Sequence, residues 1–78
     1  MSVAYVLINC ELGADEEITE KLKDLEEVVF VEKVNGAYDL LVKVEAKNPI
    51  ELRETISWKV RKVDKIRTTI TLMREEKV

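Results

Sequence analysis

The sequence predicts a single small α+β domain of β-α-β-β-α-β order. Three observations carry the prediction. Four short runs are rich in Val, Ile and Leu, and two stretches between them carry apolar residues at helical spacing. The two halves also echo each other at an offset of 33 or 34 residues: Ala4-Tyr5 with Ala37-Tyr38, and Ile18 and Leu22 with Leu52 and Ile56. A chain of 78 residues is one domain, close to the lower limit for folding alone. Its apolar share of 46% is that of a globular protein, which argues against disorder.

The elements follow in order. Val3 to Cys10 is apolar on both alternating faces, with Val6 and Ile8 pointing one way and Tyr5 and Leu7 the other, as in a strand covered on both sides. Leu12-Gly13-Ala14 breaks the run. Asp15 to Leu25 reads as a helix: Asp15, Glu16 and Glu17 suit its positive N-terminal end, Ile18, Leu22 and Leu25 form one stripe, and Glu17 and Lys21 pair at i, i+4. Val28 to Val34 is β-branched and aromatic, hence a strand. Asn35-Gly36 signals a tight type I′ turn, whose central residues need positive φ, with Tyr38 to Ala46 as the returning strand. Asn48-Pro49 is a cap followed by proline at the first helical position, and Leu52, Ile56, Val60 and Val63 continue that helix to its end near Val63. Ile66 to Arg74 is the last strand, and Glu75 to Val78 read as a frayed tail.

Two βαβ units joined by right-handed crossovers give a ferredoxin-like fold, a four-stranded antiparallel sheet with both helices on one face. The uncovered face would still carry apolar residues, too large a patch for a monomer. A second copy packed sheet against sheet would cover it. Trp58 and Ile50 fall on the outer side of the second helix, and a tryptophan there suits an interface.

Composition narrows the function. One cysteine, Cys10, and no histidine leave no disulfide, no metal set and no cofactor to stabilise so small a domain, so self-association is the remaining source. Cys10 reads as a small buried residue. A lone cysteine, no leader-like start and no membrane-length apolar run point to a soluble cytoplasmic chain. A net charge of −3 opposes direct binding to nucleic acid. An RNA-binding module of this order would need more stacking aromatics than Tyr5 and Tyr38, and a copper chaperone would need Cys-x-x-Cys. With only carboxylates, lysines and tyrosines as acid or base, and no converging pair among them, an enzyme is not expected. The excess of Glu and Lys, with Gln absent, suits a thermophile.

Val34 to Leu52, V-N-G-A-Y-D-L-L-V-K-V-E-A-K-N-P-I-E-L, resembles the signature hairpin of the effector-binding (RAM) domain of Lrp/AsnC transcription regulators. Ile66-Arg67-Thr68-Thr69-Ile70-Thr71 is similar to that family's opening of the last strand, and with Ala4 to Ile8 the resemblance runs over nearly the whole chain. It implies residues 1–78 as one stand-alone domain without the family's helix-turn-helix, amino-acid effectors, assembly of dimers into rings, and a full-length regulator as partner. Lys65 stands where the family usually has glycine. The implied effector site uses Gly36, Tyr38 and Asp39 from the hairpin and Thr69 and Thr71 from the last strand.

Asp39 would accept a ligand's ammonium, while backbone N–H groups around Gly36 and the hydroxyls of Thr68, Thr69 or Thr71 would meet its carboxylate. Arg67 reads as a surface charge in preference to a carboxylate clamp. The hairpin and the start of the last strand are expected at opposite ends of the sheet, roughly 20–25 Å apart for strands of seven or eight residues. A site using both would then have to be built between chains. The alternatives are an ACT-like amino-acid-binding regulatory subunit of a metabolic enzyme, or a small dimeric enzyme of the same fold.

Overall fold

The computed structural model describes residues 1–74; the tail from Glu75 lies outside the described residues. β1 (Ser2–Cys10) leads to α1 (Asp15–Lys23), β2 (Val28–Lys33) and β3 (Leu40–Ala46). α2 (Pro49–Thr55) runs on into a π-helical turn, Ile56–Val60, before β4 (Ile66–Met73). The sheet order is β2-β3-β1-β4 and every pairing is antiparallel, the ferredoxin-like arrangement.

β1 and β3 are the central strands, and their alternation decides the layers. Val6 faces Val42 and Ile8 faces Leu40 across the ladder, all fully buried beneath Ile18 and Leu22 of α1 and Leu52, Ile56 and Val60 of the second helix. Each such side chain contributes about 1.5–3 kcal/mol on leaving water. Tyr5 and Leu7 point to the other face, as their spacing predicts. There they are half-buried beside Phe30 and Leu41, while Ile70 and Leu72 of β4 stand 44% and 54% exposed. Among the described residues no helix covers that face.

The local signals at the second helix hold. The Asn48 side chain accepts from the Glu51 N–H at 2.9 Å and Pro49 opens the first turn. The π turn is closed by the Arg61 N–H donating to the Ile56 carbonyl at 2.9 Å. Trp58 lies on this turn, 68% exposed, with the Lys62 ammonium 5.3 Å from its ring centroid. α1 is shorter than its stripe suggests. It ends at Lys23, and Leu25 reaches the core from a turn in which its N–H donates to the Leu22 carbonyl.

The Asn35-Gly36 turn differs from expectation. Gly36 has φ +128°, but Asn35 lacks the positive φ a type I′ turn requires. The last ladder pair is Lys33 with Leu40, and beyond it the Val34 N–H donates to the Asp39 carbonyl at 2.9 Å, so the loop is wider by two residues. The reason is tertiary. Asp39 is held by β1, its N–H donating to the Ile8 carbonyl at 2.9 Å, and this sets the register of β3. Lys65, just before β4, has φ +70°, the left-handed conformation for which glycine is the unstrained choice.

Candidate effector-binding cleft

β3 and β4 both run antiparallel to β1 and flank it. They are therefore parallel to each other and start at the same end of the sheet, beside Cys10: Ile8 pairs with Leu40, Asn9 with Thr68 and Cys10 with Ile66. This overturns the expectation that the hairpin and the start of the last strand lie at opposite ends. The strand order decides it, because β1 lies between β3 and β4 and both begin where it ends. One chain alone brings Asp39 and Thr68 to a common cleft.

That cleft, about 700 Å³ in volume, is bounded by the β1 end and following loop (residues 9–13), by Asp15, by residues 33–35 and Asp39, and by Arg67 and Thr68 of β4. Its wall is tied together by hydrogen bonds. The Cys10 N–H donates to Asp39 Oδ2 at 2.8 Å. The Asn9 amide donates to Thr68 Oγ1 at 3.3 Å. The Glu11 N–H donates to the Lys65 carbonyl at 2.9 Å, joining the loop after β1 to the turn before β4. Lys33 reaches Asp15 Oδ2 at 2.9 Å, and Lys65 reaches Glu17 at 3.0 Å, so two lysines fasten the start of α1 to the cleft's two sides. These pairs depress the carboxyls of Asp15 and Glu17 and raise both ammonium groups.

The pairing of β4 with β1 slips between Asn9 and Cys10. Thr68 faces Asn9 and Ile66 faces Cys10, leaving Arg67 as the extra residue of a β-bulge. The Cys10 thiol is buried, and burial, then Asp39 and Asp15, push its pKa up, so it is a neutral thiol near pH 7. The cleft thus offers charges of both signs, two amide side chains and a hydroxyl. It is equipped to hold a small zwitterion by hydrogen bonds and ion pairs.

The other residues expected at the site are not gathered there. Gly36 and Tyr38 sit on the loop beyond the cleft. Thr69 and Thr71 pair with Ile8 and Val6 and so share the helix face of the sheet, while Thr68 shares the open face with Asn9. Asn9, Lys33 and Asn35 carry no site signal in the sequence, and Arg67, there a surface charge in preference to a carboxylate clamp, lines the cleft with them. The strand order, applied to the same pattern, would have brought them together.

The profile of the Lrp/AsnC ligand binding domain matches residues 3–77. An uncharacterised HTH-type transcriptional regulator of Pyrococcus abyssi is 35% identical over 69 residues, covering 88% of this chain and 44% of the regulator. A homocitrate synthase of Sulfurisphaera tokodaii is 36% identical over 69 residues, covering 87% of this chain but 15% of the enzyme. The crystal structure of FFRP-DM1 superposes with a TM-score of 0.91 at 36% identity, over 96% of this chain and 100% of the other. The chain belongs to the Lrp/AsnC ligand-binding-domain family of transcription regulators. It spans less than half the length of these two curated relatives. The Pyrococcus relative agrees with the thermophile-like composition.

Proposed function

We propose that this chain is an effector-binding and oligomerisation module that takes an amino acid in the cleft beside Cys10, acts through a DNA-binding member of its own family, and catalyses nothing. The observation that carries the reading is the cleft itself, where Asp39 and Thr68 meet Asn9 and Asn35 within one chain. Asp39 supplies an acceptor for the ammonium. Thr68 and the amide side chains supply donors for the carboxylate. Gly36 and Tyr38 on the loop, and Thr69 and Thr71 on the far side of β4, keep a role only toward a second copy.

Self-association is proposed through the open sheet face, where Tyr5, Leu7, Leu41, Ile70 and Leu72 lie without a covering helix. The setting proposed is cytoplasmic, and no described helix is long and apolar enough to cross a membrane.

A thermal-shift screen with the twenty L-amino acids tests the reading, because a ligand that binds only the folded state raises the melting temperature. At least one amino acid should do so, and backbone NMR shifts should localise it to residues 9–13, 33–39 and 67–68. No shift with any of the twenty would reject it.

The homocitrate synthase match favours a second reading, a regulatory segment that serves a biosynthetic enzyme. Mixing this chain with a full-length regulator of the family and with such an enzyme, followed by native mass measurement, distinguishes the two.

A further inference from the structure

We infer that Arg67 is the carboxylate receptor of the cleft and sets its ligand class as molecules carrying a free carboxylate; the inference rests on the cleft being the effector site. Among the described residues, five charged side chains line the cleft: Glu11, Asp15, Lys33, Asp39 and Arg67. Three are already engaged. Lys33 and Asp15 hold each other at 2.9 Å, and Asp39 receives the Cys10 N–H at 2.8 Å.

Of the two cleft cations, therefore, one is neutralised within the wall. Among the described residues, Arg67 makes no ion pair and no side-chain hydrogen bond. The β-bulge adds to this. Arg67 is the residue inserted between the Asn9–Thr68 and Cys10–Ile66 pairs, and a bulge takes a side chain out of the strand's regular alternation. An ordinary register would set residue 67 opposite its neighbour on the helix side of the sheet. The bulge instead makes it part of the cleft rim beside Thr68.

The chemistry selects the ligand group. A guanidinium presents a charged pair of N–H donors matched to a carboxylate's two oxygens, beside which the Thr68 hydroxyl and the amide side chains supply single neutral donors. Across the same cleft, Glu11 also lacks an ion-pair partner among the described residues, and Asp39 keeps its second oxygen beyond the one given to Cys10. An α-amino acid satisfies both ends. Its α-amide keeps the ammonium but loses the anionic group that Arg67 requires.

The test uses the whole chain with 15N-labelled arginine, titrated with the twenty L-amino acids and their α-amides. The Arg67 Nε signal is assigned from its disappearance in Arg67→Lys. The expected result is an Arg67 Nε–H shift with the binding amino acid and none with its amide. Arg67→Gln should weaken that amino acid by roughly tenfold to a hundredfold while leaving the weaker binding of the amide unchanged.

If the amino acid shifts the amides of Asn9, Asn35 and Thr68 but Arg67→Gln binds it as tightly as wild type, the Arg67 assignment is overturned and the cleft reading survives. If no amino acid perturbs those amides, both are overturned. Arg67→Lys, which keeps the charge without the fork, should fall between wild type and Arg67→Gln. Melting curves of both variants confirm that the fold is retained.

Discussion

At the scale of single residues, Asp39 and Lys65 do work that the sequence shows only in part. The Asp39 carboxylate, the proposed acceptor for a ligand's ammonium, also receives the Cys10 N–H, and its backbone ties β3 to β1. The two roles separate by substitution. Asp39→Ala is expected to lower stability by about 1 kcal/mol, the usual worth of one such hydrogen bond, whereas Asp39→Asn keeps an acceptor and should cost less. Both should lose amino-acid affinity, because both remove the charge. Urea melts beside calorimetric titration read the two effects, and an Asp39→Asn variant that binds normally would confine Asp39 to bracing the wall. Lys65 sits at φ +70° while its ammonium reaches Glu17. A left-handed non-glycine residue is strained by about 1–2 kcal/mol, and an exposed ion pair returns at most about 1 kcal/mol. Lys65→Gly should therefore be more stable than Lys65→Ala by about 1 kcal/mol, since both lose the pair but only glycine relieves the strain. Equal melting midpoints would show that the turn is unstrained.

At the scale of elements, most of what was legible came from periodicity and caps. The opposed sets Val6 with Ile8 and Tyr5 with Leu7 follow from the two-residue period of a strand, and the helix start at Asn48-Pro49 from local hydrogen bonding. The misses have a common cause. The width of the loop at Asn35-Gly36 and the bulge at Arg67 are both fixed by pairing with β1, and no local window of sequence contains that pairing. The candidate site was legible in Asp39 and Thr68 and obscured in Arg67 for that reason. The placement of α1 yields a further expectation. Asp15 and Glu17 are depressed by Lys33 and Lys65, and Glu27 by Lys59, while the three lysines are raised. A depressed carboxyl contributes stability that is present above its unfolded pKa and lost as pH falls through the folded one. A raised ammonium contributes below its unfolded pKa and is lost as pH rises through the folded one. Cys10, raised by burial, likewise contributes below the ordinary thiol pKa, so the melting temperature should hold a plateau between about pH 5 and 8 and decline on both sides. Because these pairs are solvent-exposed, 1 M salt should flatten the profile. A decline unaffected by salt would assign the acid limb to other groups.

At the scale of the whole molecule, the open sheet face and the net charge decide how the chain meets other molecules. Light scattering at micromolar concentration should give at least a dimer, and Ile70→Lys with Leu72→Glu should give a monomer of unchanged fold, because surface changes usually alter stability by about 0.5 kcal/mol or less. A wild-type monomer at that concentration would remove the open face as an interface. A chain of net charge −3 should leave a DNA duplex unretarded in a gel-shift assay at physiological salt. One further consequence follows from how the first and last strands meet. The Arg74 N–H donates to the Val3 carbonyl at 3.0 Å, and Ala4 lies opposite Met73, so β1 begins where β4 finishes. Any polypeptide joined before β1 or after β4 attaches at one shared doorway, and the cleft stands at the other end of the nine-residue β1, about 25–30 Å away at 3.3 Å per residue. Such a doorway lets the domain be grafted onto unrelated machinery without obstructing its pocket. β1, β3 and β4 each run between that doorway and the cleft, so the sheet itself spans the two ends.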